Sequence, residues 1–63
     1  MSTRFEIGDR VILVGNAAAN SDCKTGVVTS IEDMGSVEYY GVELDNKRLD
    51  HFLPSELRLA EKL

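Results

Sequence analysis

The chain has 63 residues, with 7 Lys and Arg against 11 Asp and Glu, for a net charge of −4 at neutral pH. That is one small domain, residues 1–63, burying only about 60% of the surface its unfolded chain exposes, with no room for an internal substrate cavity. The acidic balance argues against a dedicated nucleic-acid binder and against an anionic membrane surface. One cysteine, Cys23, and one histidine, His51, exclude an internal disulfide and a four-ligand zinc site.

The start, Met1-Ser2-Thr3-Arg4, holds no apolar targeting core, and no run reaches the ~20 apolar residues of a membrane helix. A cytoplasmic location is expected. Phe5-Glu6-Ile7 alternates and Gly8-Asp9 reads as a turn. Arg10-Val11-Ile12-Leu13-Val14, bracketed by glycines and rich in β-branched residues, reads as a buried strand. Residues 15–24 are small and polar without an apolar period, which predicts a mobile loop holding at most one helical turn.

Thr25-Gly26-Val27-Val28-Thr29-Ser30-Ile31 is the second expected strand, with Gly26 marking a bulge or a close backbone approach. A turn over residues 32–36 leads to a third strand over 37–44. Tyr40, Val42 and Leu44 share its core face, and Val37, Tyr39, Gly41 and Glu43 share the other. Asp45-Asn46-Lys47 is the hairpin turn, Asp and Asn being tolerant of left-handed backbone. A fourth strand over 48–53 stops at Pro54. One 3₁₀ turn follows at Ser55-Glu56-Leu57, then a short fifth strand around Leu57–Leu59, and residues 61–63 are expected to fray. Short strands at roughly ten-residue spacing define an all-β barrel or sandwich.

From Phe5 to Leu59 the chain resembles the small Src-homology-3-like barrels. Ile7-Gly8-Asp9-Arg10-Val11 with Lys24-Thr25-Gly26-Val27-Val28 is similar to the KOW motif of ribosomal and transcription-elongation proteins. Gly41-Val42-Glu43-Leu44-Asp45 is similar to a segment of cytoskeletal CAP-Gly domains, and Pro54-Ser55 to the end of the Src-homology-3 domain. The resemblance implies an all-β, five-stranded Src-homology-3-like small barrel with one 3₁₀ turn before the last strand. It does not carry those families' ligands over. Asn46-Lys47-Arg48-Leu49 stands where CAP-Gly domains have their ligand-binding Gly-Lys-Asn-Asp-Gly. The chain also lacks the Trp and the aromatic loop of a proline-peptide groove, and the basic surface that accompanies RNA contact.

The candidate partner-binding residues are Tyr39, Phe52 and Pro54. Tyr39 lies beside Gly41, whose small size leaves a hollow by the ring, unless the long loop covers that face. Phe52 either joins Tyr39 and Pro54 in an aromatic patch or closes the barrel bottom. His51 reads as an ordinary strand histidine, within reach of Glu43 or Glu38 on the paired strand. Cys23 reads as an inert thiol between Asp22 and Lys24. The acids Glu32, Asp33, Glu43, Asp45 and Asp50 match no calcium loop and read as a solvated rim. No catalytic, cofactor-binding or metal-ligating set is expected. These readings converge on a non-enzymatic protein–protein interaction module or small regulatory subunit of a bacterial or phage complex. A KOW-like nucleic-acid or translation/transcription accessory is the alternative, and an edge-paired homodimer a third possibility.

Overall fold

The computed structural model describes residues 5–60; the expectations for residues 1–4 and 61–63 lie outside them. Among the described residues five antiparallel strands form one sheet: β1 (Arg10–Leu13), β2 (Thr25–Asp33), β3 (Glu38–Leu44), β4 (Leu49–Phe52) and β5 (Leu57–Leu59), in the order β4-β3-β2-β1-β5. A five-residue helix, α1 (Gly15–Ala19), sits in the β1–β2 connection, and a 3₁₀ turn, η1 (Pro54–Glu56), joins β4 to β5. The all-β expectation therefore holds, as do the five strands and the 3₁₀ turn before the last. Among the described residues the sheet stays open: β4 and β5 form its two edges and are not paired with each other.

The core follows strand alternation. β1 turns Val11 and Leu13 inward, and β3 turns Tyr40, Val42 and Leu44 inward; Val28, Phe52, Leu57 and Phe5 complete the buried set. The Phe5 and Tyr40 rings meet edge to face, with centroids 5.2 Å apart. The buried Tyr40 hydroxyl donates to Glu38 Oε1 at 2.8 Å, so its polar end is satisfied.

Gly26 is a close approach, as expected, and not the bulge. A β-carbon there would lie 2.6 Å from the Glu43 carbonyl oxygen and 2.9 Å from Leu44 Cα, both backbone atoms. The bulge falls instead between Val28 and Ser30, where Thr29 Oγ1 donates to the Gly41 carbonyl at 3.2 Å. The extra residue reverses the facing of β2. Val28 is buried before the bulge; beyond it Ile31 lies opposite Tyr40, and Ser30 and Glu32 turn to the outer face.

The β3–β4 turn spans Asp45, Asn46 and Lys47, and the Leu44 N–H donates to the Arg48 carbonyl at 2.8 Å. The left-handed residue is Lys47, at φ 76°, rather than Asp45 or Asn46. A three-residue hairpin loop places its left-handed position last, and the loop's geometry overrides side-chain preference.

Candidate functional site

The turn determines where Phe52 points, and it decides between the two places expected for it, against the aromatic patch and for the interior. With Leu44 opposite Arg48, Tyr40 pairs with Phe52, and both belong to the core face. Phe52 is only 7% exposed, so it stands away from Tyr39 and closes the interior under β4. Tyr39 is 37% exposed and lies opposite Glu32 on the outer face. Pro54 is half-buried and lines a shallow hollow of about 260 Å³ with Ser36, Val37, Glu38, Leu53 and Ser55, a set that does not include Tyr39. The structure thus places the three candidates in three different settings.

The hollow expected beside Gly41 is filled. Gly41 is buried, with Ser30 Oγ occupying the space where its β-carbon would stand. His51 also leans toward this position. Because Gly41 has no side chain, His51 reaches across β3 to Glu32 on β2, with Nε2 3.7 Å from Oε2. That replaces the expected partners Glu43 and Glu38. Ser30, His51 and Glu32 lie on an open, solvated sheet face, so the group has no enclosed volume in which to hold a substrate.

A larger recess runs along β4. It measures about 500 Å³, walled on one side by Asn16, Ala17, Asn20 and Asp22 and on the other by Arg48, Asp50 and His51, with Leu44 and Phe52 also lining it. The loop wall is held from below: Ala17, Ala18 and Cys23 pack on the core, and Val14 N–H donates to the Glu56 carbonyl at 2.9 Å. Cys23 is half-buried, its Sγ 3.5 Å from the Thr25 carbonyl. The long loop's part in this recess was not legible in the sequence, because a polar stretch without period carries no signal of what it packs beside.

The ladder between β3 and β4 sets the chemistry of this recess. Residues opposite one another in an antiparallel pair alternate between bonding each other and pointing away. Since Leu44 bonds Arg48, the pairs Val42–Asp50 and Tyr40–Phe52 also bond, and Leu49 and His51 aim their N–H and C=O groups off the sheet edge. Two of the outward donors on this edge are met by carboxylates. His51 N–H donates to Asp50 Oδ1 at 2.9 Å, and Leu53 N–H to Glu56 Oε1 at 3.1 Å.

On the far side of the turn, Asp45 is not merely part of a solvated rim. Arg10 Nη1 and Nη2 donate to its two oxygens, each at 3.3 Å, and the Thr25 hydroxyl donates to Oδ2. The Thr25 hydrogen bond first, and Arg10 second, hold the Asp45 carboxyl below its ordinary value. No group of three or more His, Cys, Asp or Glu side chains capable of holding a metal ion occurs among the described residues. No described helix is long and apolar enough to cross a membrane.

No family model matches this chain, and neither a curated protein nor a solved structure matches it.

Proposed function

We propose that the protein is a cytoplasmic, non-enzymatic interaction module of the Src-homology-3-like barrel kind, serving as an adaptor or small regulatory subunit of a bacterial or phage complex. The strand order β4-β3-β2-β1-β5 with η1 between β4 and β5 supports the barrel reading. The observation that carries the function is where the recesses lie. Large side chains fill the interior, while the recess along β4 and the hollow at Pro54 both open outward. Such surfaces suit contact with another macromolecule, and Tyr39 and Pro54 remain accessible contact residues.

The test is capture from the source cell's lysate with tagged protein, with and without nuclease, repeated with Tyr39→Ala and Pro54→Ala. One dominant protein retained after nuclease, and lost in at least one variant, is the expected result. Retention of nothing but the protein itself overturns the reading.

A second reading, the KOW-like accessory, is favoured by one observation. Lys24 immediately precedes β2 while Lys47 and Arg48 close the adjacent β3–β4 turn, so these three cations share one end of the sheet with Asp45; Glu32, Asp33 and Glu38 share the other. Retention on heparin that falls steeply with salt would support it.

A further inference from the structure

We propose that the edge of β4 receives an extended, basic segment of a partner protein, which adds to the sheet as a further strand; this rests on the interaction-module reading. The edge itself is the first ground. Among the described residues β4 is bonded on one side only, and Leu49 and His51, which both line the recess, aim backbone groups off that edge. Exposed edges of this kind pair with extended peptides through main-chain hydrogen bonds, with side-chain contacts setting specificity. The opposite edge offers less: β5 is three residues long, and the recess does not run along it.

The second ground is the space. The recess of about 500 Å³ follows β4 for its whole length, and the long loop forms a far wall, so an added strand would be held from two sides. The third ground is charge. Among the described residues Asp22, Asp50 and Glu56 line the recess against Arg48 and His51, which favours a cationic occupant over an acidic one. Leu49, 72% exposed, supplies apolar contact for alternate side chains.

Asp50 gives this edge a latch. In the free protein its carboxylate occupies the His51 N–H, leaving the Leu49 N–H and C=O and the His51 C=O as the outward groups of β4. An incoming strand bonds Leu49 first. A Lys or Arg of that strand then draws Asp50 away and frees the His51 N–H for the next rung. In isolation the same contact blunts the edge against indiscriminate pairing.

The experiment is an amide NMR titration of the whole chain with the capped peptide (Val-Lys)₃ and with (Val-Glu)₃ as its charge-reversed counterpart. The expected result is that the lysine peptide shifts amides of residues 49–53 and 16–22 and binds about tenfold more tightly than the glutamate peptide. Leu49→Pro deletes an N–H that β3 does not use, and should weaken binding about tenfold. If that variant is unfolded, the lysine peptide N-methylated at its two central residues is titrated into the unaltered protein, with the same loss expected.

Absence of binding, equal binding of the two peptides, or binding unaffected by Leu49→Pro or N-methylation overturns the proposal. So does a self-associated protein whose β4 edge is already occupied by a second copy. Shifts at Tyr39 or around Pro54 in place of β4 overturn it too, while leaving the interaction-module reading standing on its own capture test.

Discussion

Single residues in this chain divide into those whose neighbours can move and those whose neighbours cannot. Gly26 faces backbone on the adjacent strand, so Gly26→Ala pushes strands apart and should cost about 2 kcal/mol or more in denaturant unfolding. Gly41 faces the Ser30 side chain, so Gly41→Ala should be destabilising alone and largely rescued by adding Ser30→Gly, a coupling that a double-mutant cycle measures. Lys47 holds left-handed backbone that costs a residue with a β-carbon about 1 kcal/mol, and Lys47→Gly should return most of that as raised stability. Phe52 shows what a misplaced residue would do to a binding experiment. Phe52→Ala removes a core ring worth about 3 kcal/mol, against a total of roughly 3–9 kcal/mol for a domain this size. Lost capture in that variant would report lost folding, and near-ultraviolet circular dichroism would show it.

The elements differ in how much each owes to its own residues. β1 and β3 declare themselves through alternation, and Tyr40, Val42 and Leu44 fall on the core face where period-two reading puts them. The facing of β4 was legible as well, through arithmetic on the turn. Once Asp45, Asn46 and Lys47 are the loop, Leu44 opposes Arg48, and counting back four residues brings Tyr40 opposite Phe52. Alternation inside β4 alone leaves its two faces interchangeable, which is why Phe52 can be mistaken for a surface ring. The bulge at Thr29 was not legible, because nothing about Val28-Thr29-Ser30 distinguishes a bulged from a regular strand until β3 is aligned with it. Nor was the recess, since its loop wall is defined by what lies across from it. α1 is the weakest element: five residues with no side-chain hydrogen bond at its N-cap cannot hold a helix without the core contacts of Ala17 and Ala18. Hydrogen exchange should therefore find the α1 amides among the fastest and the central β2–β3 rungs among the slowest, with strand addition at β4 slowing the amides of residues 16–22.

At the scale of the whole molecule, one polar contact joins distant parts of the chain. Arg10, on β1, grips Asp45 in the β3–β4 turn, 35 residues along, and Thr25 at the start of β2 completes the group. These are side chains with substantial exposure, so the ion pair is screened by salt and its contribution is modest. Its sign with pH is nonetheless definite. The Asp45 carboxyl titrates lower in the folded protein than in the unfolded chain, so the unfolded state takes up its proton first as the solution is acidified. The stabilisation is full above the unfolded carboxylate's pKa and is lost as pH falls through the folded one. Asp45→Asn removes the charge but retains a side chain able to accept from Thr25. The stability gap between the native protein and this variant should be widest at neutral pH and shrink steadily below about pH 4. Urea unfolding of both proteins at pH 7 and at pH 3 measures it. A gap that stays constant between the two pH values would show that Asp45 acts through shape and hydrogen bonding alone. A gap that narrows identifies the carboxylate as a long-range tie that holds the β3–β4 turn, and with it the near end of the β4 edge, against β1 and β2.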